Sequence, residues 1–413
     1  MARRTALALL LGVVALHLAI RIPLLANAPW FTDEGIGSFC LTQRVTEVPR
    51  FARGDFAPPL HYMALSVWGE VLARMGWRST LPREGVGWES EPLAHGYTAF
   101  IPLANGEMLA LENGVHPGNW DEWNMPPLWA VRLSSLLVAV VVLLGAMAFT
   151  RWATGSIRMA LGVGLLLAVS PHVARWDTVV RHYAPQTLAV LGVAASLWGI
   201  AAAKCLRARW WLLPALGFAT LAALMTHFMA ALFMPGLGLW LLLVNGKTHW
   251  RRTALAGATM IAALIVFGNL WGPSLREQLT RTGFEDSVAG VRFIDNFPLQ
   301  PSLPQRLLAS MDGQSMTLAI FPGWWMWGMN ALLWIVMVGY LLRLIRSGFD
   351  RVDGLLLLWL FGAPAMVLLV NTIRPATAVY TWRHFMAASP AAAILFVRGF
   401  AWLLDRVRRS AAP

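Results

Sequence analysis

The feature that most constrains this chain is the recurrence of apolar stretches about as long as a helix needs to cross the hydrocarbon of a bilayer. They fall near residues 5–27, 128–149, 158–175, 184–203, 253–273, 323–345, 354–372 and 384–403, and a longer run, 210–244, is broken only by His227. With 57% hydrophobic and 13% charged residues in 413, the chain has too little polar surface to cover a water-soluble globule of this size. Its 22 Trp fit the same class, because the indole ring favours the boundary between membrane and water.

Basic residues gather at the cytoplasmic ends of spans, and they decide the ambiguous stretches. Lys204, Arg207 and Arg209 precede the run 210–244, and Lys247, Arg251 and Arg252 follow it. Both clusters are cytoplasmic only if the run is two spans, with a turn at 226–228 on the far side. Residues 58–75 are apolar but carry His61, Glu70 and Arg74. Were they a span, every later basic cluster would face outward, so they read as a juxtamembrane helix on the outer surface.

The expectation is an all-α polytopic membrane protein. A single membrane domain, 1–413, holds about ten transmembrane helices, with juxtamembrane helices and both termini cytoplasmic. Two large extracytoplasmic loops cover 28–127, which includes an insertion at 77–127, and 274–322. The second loop holds Pro298, Pro301 and Pro304 and reads as irregular, with a short helix over 305–318. On this map the cytoplasmic side carries 17 Lys and Arg against the three acids Asp350, Asp353 and Asp405, and the outer side 16 against 18. The net charge of +12 is therefore a topology signal, and a nucleic-acid partner loses its support. Arg3 and Arg4 before an apolar run also resemble a secretion signal, but Arg21 and Pro23 interrupt the approach to Ala26, Asn27 and Ala28, so the first span is expected to stay uncleaved. Cys40 and Cys205 fall on opposite sides and cannot pair.

Ionisable residues collect at outer span ends: Arg21, Asp33, Glu34, Arg132, Arg175, Asp177, Arg181 and Arg383. Near hydrocarbon each is costly unless paired or hydrated. Singly, each reads as an interface anchor; together they suggest chemistry. Asp33 and Glu34 suit a general base or a divalent metal at the lipid–water boundary. Arg181, followed by His182 and Tyr183, opens the fourth span, and Arg383 with His384 opens the tenth. Both arginines can grip phosphate at headgroup depth, because the planar guanidinium donates paired hydrogen bonds and stays charged.

Several segments occur in an order that resembles the membrane glycosyltransferases of the type-C fold, which include protein O-mannosyltransferases and the lipid A aminoarabinose transferase. They are Arg21 late in the first span with the pair Asp33-Glu34; Pro58, Pro59, Leu60, His61 and Tyr62; Arg132, Leu133 and Ser135; and Thr226 with His227. Ser170-Pro171 is followed ten residues after the proline by Arg181, with Tyr183 and Ala184, and this spacing is the most specific match. Arg383, Phe385 and Pro390 resemble a late element of the family more weakly. Two departures stand out: Ala57 occupies a position where the family often has His or Lys, and the insertion 77–127 is extra.

The resemblance implies an enzyme of the bacterial-type inner (plasma) membrane that takes a sugar, hexosyl or pentosyl, from a polyprenyl phosphate carrier. It passes the sugar, with inversion, to an extracytoplasmic lipid, glycan or protein acceptor. It implies Asp33 and Glu34 as catalytic carboxylates, with a divalent metal between them as an open option. Arg181, Arg383 and Arg21 would hold the donor phosphate, and Tyr183, His227, His61 and Tyr62 would line the donor pocket. The acids and aromatics of the insertion, among them Glu84, Glu89, Trp88 and Trp120, suit sugar recognition at the acceptor side or a solvated cap. A transporter or lipid flippase is the alternative, but it calls for ionisable groups near span midpoints and paired halves, and neither is evident. A noncatalytic envelope partner would tolerate replacement of Asp33 and Arg181.

Overall fold

The computed structural model describes residues 3–27, 34, 37–38, 40–42, 44–49, 52, 58–77, 98–102, 108–112, 125–203, 207–246, 248–280, 323–373 and 386–410. Its helices are α1 (Arg3–Asn27), α2 (Leu60–Arg74), α3 (Leu128–Thr154), α4 (Ile157–Val169), α5 (Pro171–Asp177), α6 (Tyr183–Ala202), α7 (Leu212–Thr226), α8 (Met234–Asn245), α9 (Trp250–Thr280), α10 (Gly323–Ser347), α11 (Arg351–Ile373) and α12 (Ser389–Ser410). Six helical stretches among the described residues are long and apolar enough to cross a membrane: Arg4–Asn27, Leu128–Thr154, Tyr183–Ala202, Phe228–Asn245, Trp250–Arg276 and Met386–Ser410. Ile157–Val169 and Leu212–Thr226 are shorter apolar helices, and α10 and α11 occupy the eighth and ninth expected stretches. The architecture is that of a helical polytopic membrane protein.

The helices form a chain of neighbours. Helix α1 packs on α3 and α4, α3 on α6, α6 on α7 and α7 on α9, while α4 also meets α12, which joins α10 and α11, and α11 packs on α8. Small residues allow the closest approach. A Cβ on Gly236 of α8 would sit 2.4 Å from the Leu358 carbonyl oxygen and 3.1 Å from the Gly362 Cα on α11, so this crossing is built backbone to backbone.

Local sequence explains the breaks. Helix α3 ends at Gly155, whose φ of 71° is left-handed, and Ser156 then caps α4 by accepting the Met159 N–H at 3.2 Å. The third expected span does not run unbroken to 175. Ser170 is extended and caps α5 by accepting the Val173 N–H, and Pro171 has no N–H to continue the preceding helix. The run 210–244 divides where the charges required. His227 is extended, with φ −161° and ψ 129°, and its Nδ1 accepts the Met229 N–H at 3.2 Å, which starts a 3-10 helix over Phe228–Phe233 before α8.

Residues 58–75 form a helix as expected, α2, which lies against α3, α7 and the short 3-10 turn Cys40–Thr42. Trp68 ties it to α3 by donating from Nε1 to the Ala130 carbonyl at 3.0 Å. A Cβ on Gly69 would lie 2.1 Å from the Leu41 carbonyl oxygen, so this contact requires glycine. The insertion 77–127 contributes a departure from a purely helical chain: β1 (Thr98–Pro102) pairs antiparallel with β2 (Met108–Glu112), with Phe100 opposite Ala110. Helix α9 continues to Thr280, so the expected loop 274–322 begins as helix, and 281–322, with the expected helix 305–318, lies outside the described residues.

Two apolar clusters fill the interior. One runs through the bundle and includes Trp176, Tyr183, Trp240 and Trp359. The other lies under α2 and gathers Cys40, Leu41, Tyr62, Leu65, Val131, Val180, Leu224 and Trp271. The segment 178–183 runs between them, and the end of the bundle that carries it is called the site end below. At the opposite end a polar network joins α10, α11 and α12. Asp353 is buried and accepts the Tyr340 hydroxyl at 2.9 Å and Arg398 Nε at 2.8 Å, while Arg398 also pairs with Asp350.

Candidate active site

Segment 178–182 joins α5, which ends at Asp177, to α6 without regular structure, and side chains from four directions hold this junction. Arg21 of α1, fully buried, donates from Nε to Asp177 Oδ2 at 2.7 Å. Its remaining nitrogens reach the Ala168 carbonyl at 2.8 Å and the Leu167 carbonyl at 3.1 Å, capping the end of α4. Ser135 of α3 donates to the Val179 carbonyl at 2.8 Å. The Val180 N–H donates to Glu34 Oε1 at 3.1 Å, and the Val180 backbone also bonds to the His61 ring. A Cβ on Gly37 would stand 2.6 Å from the Val180 carbonyl oxygen, so Gly37, like Glu34, lies directly on this segment.

Glu34 is itself held from α3. Arg132 donates from Nε to Oε1 at 2.9 Å and from Nη2 to Oε2 at 2.7 Å, with both side chains fully buried. Its Nη1 reaches the Leu24 and Leu25 carbonyls at 3.3 and 3.2 Å, near the C-terminus of α1. One arginine thus ties Glu34 to the end of the first helix.

Above this frame the expected pocket residues meet. Arg181 Nη1 donates to the Tyr62 hydroxyl at 2.9 Å. The His61 ring lies 6.3 Å from His182, edge to face, and His182 stacks on His227 at 3.9 Å and meets Tyr183 at 4.5 Å. Tyr183 packs on Trp176 at 4.7 Å. Burial, reinforced by the Arg181 charge, pushes His61 down to about 3, so its ring is neutral at physiological pH. The cluster therefore presents a cation, two phenols and three imidazoles within one patch. This combination suits a phosphate together with the polar edge and apolar face of a sugar.

The structure brings together Tyr62, His61, Arg181, Tyr183 and His227 from three separate stretches of sequence. It gives two expected residues other work. The Arg21 donors go to Asp177 and the α4 carbonyls. Glu34 has both oxygens hydrogen-bonded, by Arg132 and by the Val180 N–H. Among the described residues no group of three or more His, Cys, Asp or Glu could hold a metal ion. Asp33 and Arg383 lie outside the described residues. Sequence reasoning missed His182 as a member of the pocket; its signal was its place between Arg181 and Tyr183 at the start of a helix.

No protein-family model matches the sequence, and no curated protein matches it. Solved structures do. ArnT from Cupriavidus metallidurans in the apo state matches with a TM-score of 0.50 at 15% identity, over 96% of this chain and 60% of that one. The same protein bound to undecaprenyl phosphate matches with a TM-score of 0.52 at 13% identity, over 97% of this chain and 61% of that one. The chain thus spans about three fifths of the length of the solved structures it matches. At these identities the likeness establishes a shared fold, the type-C membrane glycosyltransferase fold, along almost the whole chain.

Proposed function

We propose that this protein is an inner-membrane glycosyltransferase that moves a sugar from a polyprenyl phosphate carrier to an acceptor on the extracytoplasmic side, with inversion at the anomeric carbon. The observation that carries the proposal is the convergence of Arg181, Tyr62 and three histidines at one end of the bundle, directly against the segment that follows α1. The fold shared with ArnT, one structure of which is bound to undecaprenyl phosphate, supports a lipid-linked donor.

In this reading the acceptor hydroxyl attacks the anomeric carbon while the bond from that carbon to the phosphate oxygen breaks. The proton passes to Asp33, and polyprenyl phosphate leaves with the electron pair. Arg181 and Arg383 stabilise the charge that grows on the phosphate. Tyr62 holds the Arg181 guanidinium, and His61, His182, Tyr183 and His227 line the donor pocket. Glu34, held by Arg132, anchors the Val180 N–H next to Arg181. A divalent ion at Asp33 would need ligands other than Glu34.

The test is to incubate the purified protein with a panel of polyprenyl phosphate sugars and an acceptor extract, and to measure release of free polyprenyl phosphate. Wild type should release it from at least one donor, and Asp33→Asn should release none while remaining folded. Turnover by Asp33→Asn at the wild-type rate would remove Asp33 from the mechanism.

A further inference from the structure

One helical turn into the bundle from His182 lies Gln186, whose backbone N–H donates to the His182 carbonyl at 2.8 Å. Positions four apart share a helix face, so Gln186 follows His182, whose ring stacks on His227, along one side of α6. Its side chain is fully buried, and neither Oε1 nor Nε2 has a hydrogen-bond partner among the described residues. Further along the same face come Val190, Val193 and Leu197, all buried and apolar. Gln186 is thus the last polar side chain on this face before the apolar interior. Thr187 beside it is already satisfied, donating to the Tyr183 carbonyl at 2.8 Å.

A buried carboxamide with both ends unpaired is a costly group to keep, and in a helix surrounded by apolar side chains a methionine of similar size would carry no such cost. Whatever offsets the cost must accept a hydrogen bond from Nε2 and donate one to Oε1. An ionised phosphate only accepts, and would leave Oε1 unpaired. A sugar hydroxyl does both, and so does the water it would displace. One turn before this amide the His182 ring stacks on His227, 3.9 Å away, and the preceding residue, Arg181, is bound to Tyr62.

We propose that Gln186 reads a hydroxyl of the donor sugar and so helps to determine which sugar the protein transfers. The proposal rests on the reading of this end as a polyprenyl phosphate sugar site. The phosphate stays with Arg181, the His182 ring moves off His227 as the sugar enters, and the amide exchanges its unpaired state for a matched donor and acceptor.

The experiment compares wild type with Gln186→Met on three readouts. They are binding of undecaprenyl phosphate alone, kcat/KM for polyprenyl phosphates carrying hexoses, pentoses and their single-deoxy analogues, and thermal unfolding in detergent. Gln186→Met should bind undecaprenyl phosphate within twofold of wild type and unfold no earlier. It should lose about tenfold in kcat/KM on the preferred donor. Wild type should lose a similar factor on one deoxy analogue, and Gln186→Met should lose nothing more on that analogue. Unchanged kcat/KM and sugar preference in Gln186→Met overturn the inference, as does earlier unfolding with a matching loss of undecaprenyl phosphate binding. If wild type itself neither binds undecaprenyl phosphate nor turns over any donor, the transferase reading falls first and the inference falls with it.

Discussion

Replacing Arg132 by methionine removes one guanidinium that four acceptor atoms depend on: Glu34 Oε1 and Oε2 at 2.9 and 2.7 Å, and the Leu24 and Leu25 carbonyls at 3.3 and 3.2 Å. Glu34 keeps the Val180 N–H at 3.1 Å, and its carboxylate stays fully buried. Leaving a buried charge without its counter-ion costs about 3–5 kcal/mol, a large share of the roughly 5–15 kcal/mol that stabilises an ordinary domain. The two carbonyl bonds are long and add little. Arg132→Met should therefore unfold well below wild type in detergent, followed by tryptophan fluorescence, and should lose donor-dependent release of polyprenyl phosphate. Glu34→Leu combined with Arg132→Met removes both charges. Because apolar replacement of a buried pair is often neutral or better, the double variant should be more stable than Arg132→Met while remaining inactive, since the Val180 N–H then loses the Glu34 carboxylate that holds it. If the double variant is no more stable than Arg132→Met, the pair is not a compensated charge. If it turns over donor like wild type, Glu34 does not position the site.

Three further outcomes follow from the same geometry. Tyr62→Phe removes the acceptor of Arg181 Nη1 and should raise the KM for a lipid-linked donor about tenfold, the equivalent of ~1.4 kcal/mol for a hydrogen bond to a charged group, with unfolding unchanged; an unaltered KM would detach Tyr62 from phosphate binding. His61 is held at about 3 against 6.5 when unfolded, so its contribution to stability is complete above pH 6.5 and declines as pH falls toward 3, by up to about 1.4 kcal/mol per pH unit for the one proton involved. His61→Gln should flatten the dependence of unfolding temperature on pH between 6 and 4, and an identical slope in both proteins would mean that His61 titrates normally. Arg398→Met strips the buried Asp353 of its Nε partner at the opposite end of the bundle, and should cost about 3 kcal/mol of stability with no change in donor KM; a shifted KM would couple the two ends.

The helices were readable because bilayer thickness sets their length, and the division of 210–244 was readable because basic residues mark one side of the membrane. The same reading ran one span through Ser170-Pro171, since an apolar average is blind to a residue that ends one helix and caps the next. It also passed over the β1–β2 pair, although Asn105-Gly106 lies between the two strands in the sequence and is a strong hairpin signal. Both misses have one cause. Hydropathy reports what a segment dissolves in, while caps and turns are decided by single side chains.

The site shows a second limit, and it concerns pairing. Sequence located Arg21, Arg132 and Arg181 at the same end of the bundle but could not distinguish their work, because that depends on which way each helix is turned. Arg21 meets a carboxylate 156 positions away and Arg132 one 98 positions away. In an apolar surround an arginine within reach of a carboxylate is held by it, so both are consumed in structure. What they hold is the same short segment, gripped at Asp177 by Arg21 and at Val180 by Glu34 from Arg132. Arg181 is the next residue after that grip. A guanidinium that must meet a phosphate gains from a backbone that cannot shift, because an ångström of misplacement at a reacting centre is expensive. The two buried arginines therefore act on the proposed reaction at one remove. The Arg132 variants test this directly, since they perturb the backbone before Arg181 without touching Arg181 itself.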